Sequence, residues 1–306
     1  MATLRDATQS FLVSLELAGK SPLTLDSYGR HLSEFEDWLD KPLAVDEIES
    51  SHVEGFLLHL KRRPKRPGYQ HRKEPQGGLS PETMRHYYWT LRSFFDWCER
   101  RGLLNDHRPM ETVEKPTKEE REVRTLSKQE IGRLLALVDK PEDKKRTLLV
   151  AFTLMARLGL RISEVCSLLL ADVNLETGWL FVQGKGKKER RLPIRNGLAH
   201  LLQTYVSEVR PEYANGSDRV LVSYTGSPLL PSSLRKSFAR YAKRAGISGT
   251  PHTLRHSFAT QFIRDGGSVY TLKRILGHSD IKTTERYIHA ASVDDMAAAL
   301  DKMDWV

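Results

Sequence analysis

Cysteine is nearly absent from this chain of 306 residues: Cys98 and Cys166 are its only two. They show no Cys-x-x-Cys spacing, which excludes a disulfide framework and a cysteine-ligated zinc and leaves both to pack as small apolar side chains. Long apolar runs are missing as well. The longest, Leu148 to Met155, is cut off by Arg157 well short of the ~20 residues a membrane span needs, and the N-terminus carries no signal-peptide apolar region. A cytoplasmic protein with no membrane partner is expected. An excess of acidic residues is also lacking, since 48 Lys and Arg outnumber 39 Asp and Glu for a net charge of +9. That balance favours a polyanionic partner, because clustered cations release counterions from nucleic acid, although charge alone does not separate this from solvated lysines.

What is present is an ordinary globular composition, 39% hydrophobic and 28% charged, in a chain long enough for two domains with real cores. Apolar spacing and cap signals place four amphipathic helices in the first ~110 residues. The first carries Leu4, Phe11, Leu12 and Leu15 and stops at Gly19. The second opens at Ser21-Pro22 and continues with Leu25, Tyr28, Leu32, Phe35 and Leu39. A third opens with a Ser51 to Glu54 capping box and buries Val53, Phe56, Leu57 and Leu60. A fourth opens at Ser80-Pro81 and carries Met84, Tyr87, Tyr88, Leu91, Phe94 and Phe95. Together they make a small bundle.

Between the third and fourth helices, Lys61 to Gly78 is too rich in Pro and Gly to be helical. This loop carries Lys61, Arg62, Arg63, Lys65, Arg66, Arg72 and Lys73, which serve either as a phosphate-contacting arm or as solvated charge. The polar stretch from Asn105 to Arg124 suits a linker, and we place the N-terminal domain at 1–108, the linker at 109–124 and the C-terminal domain at 125–306. A fresh capping box, Ser127 to Glu130, starts the second domain. Its helices carry Ile131, Leu134 and Leu135, then Leu148, Phe152 and Met155, ending near Gly159. Trp179 to Val182 and Arg191 to Ile194 then read as strands of a hairpin around "QGKGKKE", with Val220 to Val222 as a third strand. The expected fold class is mainly α with a small antiparallel β-sheet, in two domains.

In "TPHTLRHSFA", Thr250 to Ala259, Leu254, Phe258 and the later Phe262 recur at helical spacing while His252, Arg255 and His256 fall on an adjoining face. One face packs and the other awaits an anion. With it stand "GLRISE" containing Arg161 and Glu164, the hairpin with Lys185, "LGHSD" with His278 and "TTERYIH" with Tyr287. These residue types suit phosphodiester cleavage, which needs an in-line nucleophile, charge stabilisation on the non-bridging oxygens and a proton for the leaving alkoxide. Arginine forks can clamp the oxygens, a tyrosine can attack and a lysine can supply the proton.

This set, in this order, resembles the tyrosine recombinase (phage integrase) family, and most nearly its Xer-type members, over almost the whole chain. The resemblance implies an N-terminal core-binding bundle and a C-terminal α+β catalytic domain that together clamp DNA. It implies that Tyr287 attacks the scissile phosphate to give a 3′-phosphotyrosine, that Arg161 and Arg255 hold the non-bridging oxygens, and that His278 adds a hydrogen bond. His252 would assist proton transfer at the nucleophile, Lys185 would protonate the 5′-oxygen, and Glu164 would orient the active-site side chains. Lys187, Lys188 and the Arg190-Arg191 pair could share in DNA binding or, for the lysines, in the acid role. His256 lies outside the signature and reads as a satisfied helix-face histidine, and His289 is unassigned. No cofactor is implied.

Other chemistries fit less well. His252 and His256 share the spacing of a zinc-protease helix, but Thr253 stands where that motif has its general-base Glu, and "GKGKK" lacks the ending of a phosphate loop. A two-metal nuclease would need clustered carboxylates in a site that here is basic. After Tyr287 a capping box at Ser292 to Asp295 precedes a stripe of Met296, Leu300 and Met303, which either folds back or, as the resemblance implies, docks on a neighbouring protomer. The implied partners are double-stranded DNA with inverted-repeat core sites and a homo-tetramer on that DNA, or a hetero-tetramer with a related recombinase. The implied role is dimer resolution in a chromosome or plasmid, with integrase or transposase of a mobile element as the alternative. A type IB topoisomerase and a binding-only DNA protein are the remaining readings.

Overall fold

Side-chain oxygens of Thr3, Ser21 and Ser80 start three helices of the N-terminal unit, accepting from the backbone N–H groups of Asp6, Thr24 and Thr83. The computed structural model describes residues 2–63, 78–105, 107–117, 124–139, 146–184 and 189–288. It divides into two units, Met1–Arg121 and Glu122–Val306. In the first unit, α1 (Leu4–Leu17), α2 (Pro22–Leu39), α3 (Ser50–Arg62) and α4 (Pro81–Arg100) pack around Phe11, Leu32, Phe35, Phe56, Leu91 and Phe94. Phe11 meets Phe94 edge-on with ring centroids 5.5 Å apart. Cys98 packs in this core as expected, and burial pushes its thiol up to about 12.

Two expectations about α3 need correction. Helix α3 begins at Ser50, not at a Ser51 cap, because the backbone N–H of Glu49 donates to His52 Nδ1 at 3.0 Å and the helix gains an extra start. At its other end Lys61 and Arg62 lie within α3 and Arg63 caps it, so the loop begins later than Lys61. The reason is the helix dipole: cations in a last turn meet its negative end and prolong the helix until the first true breaker, Pro64. Arg63 pairs with Glu34, which also accepts from the Tyr87 hydroxyl. Lys65, Arg66, Arg72 and Lys73 lie outside the described residues. The stretch expected as a linker from 109 opens against the first unit, with Met110 and Val113 buried in its core and the Met110 carbonyl accepting from Arg92.

In the second unit Ser127 and Glu130 form the expected reciprocal cap on α5 (Lys128–Val138). Helix α6 (Thr147–Leu158) is apolar almost all round and is buried accordingly, from Leu149 through Met155, so the unit is built around it. It ends at Gly159 in the left-handed conformation (φ 64°), where an added Cβ would lie 2.5 Å from the Phe258 ring. The short α7 (Ile162–Ser167) follows. An antiparallel sheet of order β1 (Val173–Asn174), β2 (Trp179–Gln183) and β3 (Glu189–Pro193) comes next. Residues Val220 to Val222 are buried but form no strand of it; Val222 makes only an isolated bridge to Pro228, and the third strand is β1 instead. A continuous apolar triplet fits buried irregular backbone as well as a strand, and a two-residue strand leaves no alternation to read. Helices α8 (Gly197–Thr204), α9 (Pro231–Arg244), α10 (Pro251–Arg264) and α11 (Val269–Leu276) complete the unit together with α12 over 282–288. Helix α10 lies along α6, and α11 against β3. Among the described residues no helix is long and apolar enough to cross a membrane.

Candidate active site

One buried carboxylate organises the site. Glu164 stands at the third position of α7, where it caps the helix by accepting from the backbone N–H of its own N-cap residue, Arg161, at 2.8 Å. The same carboxylate takes Arg161 Nη1 at 2.8 Å and a two-pronged Arg190 at 3.0 and 2.8 Å, with Arg255 Nη1 at 3.8 Å. Burial works to raise the Glu164 carboxyl, but the bonds and charge of Arg190, then those of Arg161, outweigh it and hold the group below its ordinary value.

The arginines are anchored at a helix end. Arg190 Nε donates to the Ile275 carbonyl at 2.6 Å, while Arg161 Nη1 and Arg255 Nη2 both donate to the Leu276 carbonyl, at 3.2 and 2.8 Å. These are the last carbonyls of α11, unsatisfied within the helix and at its negative pole, so they hold guanidinium groups well. Arg255 also donates to the carbonyl of Gly159. Sharing one oxygen brings Arg161 and Arg255 side by side. Three guanidinium groups thus face one carboxylate, a surplus of two positive charges in a partly buried place. Burial, reinforced by Arg161, lowers Arg255 to about 10, which still leaves it charged at neutral pH. Arg255 is 4% exposed and Arg161 33%, so Arg161 gives the cradle its open edge. A surplus of this kind is relieved by an anion.

Two histidines join the cradle to α12. Arg255 Nη2 can only donate, so His278 Nε2 accepts from it at 3.0 Å, which puts the ring proton on Nδ1 for donation to Thr284 Oγ1 at 2.9 Å. Burial, then the charges of Arg255 and Arg161, push His278 down to about 4. Three residues beyond Thr284, the Tyr287 ring is 1% exposed and packs with Ala259, Leu272 and Leu276. Its hydroxyl lies 2.8 Å from His256 Nδ1. Burial, followed by the charges of Arg286, His252 and Arg255, lowers His256 to about 4.

The structure therefore brings together Arg161, Glu164, Arg255, His278 and Tyr287 from the sequence reading. His252 is exposed on α10, and its titration is lowered by partial burial and then by Arg255, Arg235 and Arg161, which places it on the cradle side. Lys185, Lys187, Lys188 and His289, with the tail beyond, lie outside the described residues. Arg190 differs from its expectation. Arg190, which could share in DNA binding on sequence grounds, is instead spent on Glu164 and Ile275, while its neighbour Arg191 stacks on Trp179 at 5.0 Å. His256, expected to be a satisfied helix-face residue, is satisfied by the tyrosine hydroxyl, and it is His256 rather than His252 that meets it. The one signal for His256 was its place on the basic face of α10.

Comparison with known proteins bears on the whole arrangement. The family model described as "Phage integrase family" matches residues 124–293, and that described as "Phage integrase, N-terminal SAM-like domain" matches residues 8–102. The tyrosine recombinase XerD of Listeria monocytogenes is 30% identical over 301 residues, covering 95% of this chain and 96% of its own. The chain belongs to the phage integrase family. That of Oceanobacillus iheyensis is 32% identical over 288 residues, 91% of this chain and 92% of its own. This Xer-type tyrosine recombinase shares its fold with the XerH site-specific recombinase solved on a palindromic difH substrate after cleavage, at TM-score 0.73 and 22% identity over 90% of this chain and 79% of that one. As a member of the family it catalyses DNA cleavage and rejoining, in site-specific recombination.

Proposed function

We propose that this recombinase cuts each strand by attack of Tyr287 on a phosphodiester held by Arg161 and Arg255, leaving a 3′-phosphotyrosine and a 5′-hydroxyl. The observation that carries the reading is the Leu276 carbonyl shared by Arg161 and Arg255, because it sets two guanidinium forks side by side with a charge surplus that a phosphodiester answers. His278 adds a third group to the cradle, and Thr284 ties it to the helix that bears the tyrosine. His252, lowered by burial and then by the charges of Arg255, Arg235 and Arg161, is assigned a supporting hydrogen bond to the phosphate. Lys185 is assigned the proton for the departing 5′-oxygen. Glu164 acts through the arginines, fixing their forks before DNA arrives.

The proposed substrate is double-stranded DNA carrying an inverted-repeat core site, met in the cytoplasm by four protomers that pair two duplexes. The role that fits a chain 30% identical to XerD over nearly its full length is resolution of chromosome or plasmid dimers. The 1–108 bundle also grips DNA, with cations of the 61–78 segment on the backbone, and a related recombinase can replace two of the four protomers without change in chemistry. A supercoiled plasmid with two copies of the site tests this. Deletion or inversion between the copies is expected; relaxation alone, without exchange, would instead identify a type IB topoisomerase.

A further inference from the structure

We infer that His256, the residue after Arg255 on α10, accepts the phenolic proton of Tyr287 as that tyrosine attacks the scissile phosphate. The inference rests on the recombinase reading above and assigns a residue that the five-part signature leaves out. Its basis is geometric. Among the described residues the Tyr287 hydroxyl makes its hydrogen bond to His256 Nδ1, at 2.8 Å, within the reach required of a proton acceptor. The tyrosine cannot easily turn elsewhere, because its ring is 1% exposed and wedged among Ala259, Leu272 and Leu276. The imidazole is half-buried on α10.

Arg286 also meets the imidazole. Its Nη2 lies 3.3 Å from Nε2 and 3.5 Å from Nδ1, so its proton is shared between the two ring nitrogens. Acceptance of the phenolic proton requires the tautomer with the ring proton on Nε2, which leaves the Nδ1 lone pair for the phenol. The charged and titratable groups facing the ring are Arg286 from α12 and His252 and Arg255 from α10, all cationic or neutral, and they favour the neutral imidazole. Binding of a phosphodiester anion beside them reverses this influence and raises the basicity of the ring, so the proton moves when DNA is in place. In the step itself the Tyr287 Oη–P bond forms and the P–O5′ bond breaks. The phenolic proton goes to His256 Nδ1, and the 5′-oxygen takes a proton from the general acid. Rejoining returns the proton from the imidazolium to the departing tyrosine.

The test is single-turnover formation of the covalent adduct by the full chain. The substrate is a nicked duplex bearing an inverted repeat that the protein itself selects from a random-sequence pool, with either oxygen or sulfur as the bridging 5′ atom. His256→Asn keeps an acceptor near the Nδ1 position but cannot take the proton. It is expected to bind the duplex as the wild type does, to form adduct about 10²-fold or more slowly at neutral pH, and to recover as the pH rises toward the phenol's own ionisation. A sulfur leaving group, which needs no proton, should leave the defect in place. Wild-type rates in His256→Asn, or rescue by sulfur, would overturn the inference, the first by reducing His256 to a spacer and the second by moving it to the leaving group. A wild-type chain that forms no adduct would overturn the recombinase reading itself and this inference with it.

Discussion

Arg190 grips Glu164 through two parallel bonds, Nη1 to Oε1 at 3.0 Å and Nη2 to Oε2 at 2.8 Å, with both side chains at least nine-tenths buried. A planar fork on a carboxylate cannot be copied by an ammonium, and its loss strands charge where water does not compensate. Glu164→Gln is expected to lower stability by about 3 kcal/mol or more, read from the urea midpoint. Arg190→Lys should weaken the fold and slow cleavage, whereas Arg191→Lys, at a residue stacked on Trp179, should leave cleavage near the wild-type rate.

The paired arginines make a different prediction. Arg161→Ala and Arg255→Ala should each lower cleavage by on the order of 10² to 10³ fold, as when one donor to a developing oxyanion is removed. Because Arg161 is one-third exposed and Arg255 almost buried, the second variant should also unfold at lower denaturant. Cleavage assays and melting curves on the same preparations separate the two effects; normal cleavage by either variant contradicts the clamp.

Gly159 joins α6 to the site by its carbonyl, which accepts from Arg255. It is held at φ 64°, with the Phe258 ring 2.5 Å from where a Cβ would sit. Gly159→Ala should cost about 1 to 3 kcal/mol from backbone strain and overpacking, and cleavage should fall with it as the carbonyl shifts. Thermal unfolding and adduct yield measure both.

Acid should loosen the fold before the carboxylates titrate. His256 and His278 are each held near 4, below the ordinary 6.5, chiefly by burial. The unfolded chain therefore binds protons between pH 6.5 and 4 that the folded chain refuses, so stability present above pH 6.5 is lost progressively as the pH falls toward 4. His31 in the first unit follows the same rule. The unfolding midpoint should drop across that window, and His278→Gln should flatten the drop. A midpoint that held constant from pH 7 to 4 would contradict the burial of these rings.

The helix starts were legible because Ser21, Ser80 and Ser127 each announce a helix through local hydrogen bonds that depend on a few neighbours. Arg161, Arg255, His278 and Tyr287 were legible for another reason: cleavage needs those side chains, and the family motifs keep them in order. Arg190 was hidden within a basic run that looks like solvated charge, and only contact with Glu164, 26 residues earlier, reveals its task. His256 was hidden likewise, since its partner arrives on a helix 31 residues later. The α3 start slipped because Ser51 to Glu54 satisfies the same local rule as the Glu49 and His52 pair that forms.

The central claim is that the tyrosine hydroxyl held by His256 becomes the point of covalent attachment to DNA. Trapping the wild-type chain on a nicked site, digesting it and locating the nucleotide-bearing peptide by mass spectrometry tests this directly. The account predicts a 3′-phosphate ester on Tyr287 and no adduct from Tyr287→Phe, which should still bind the site. An adduct on any other side chain, or one that survives Tyr287→Phe, would contradict it.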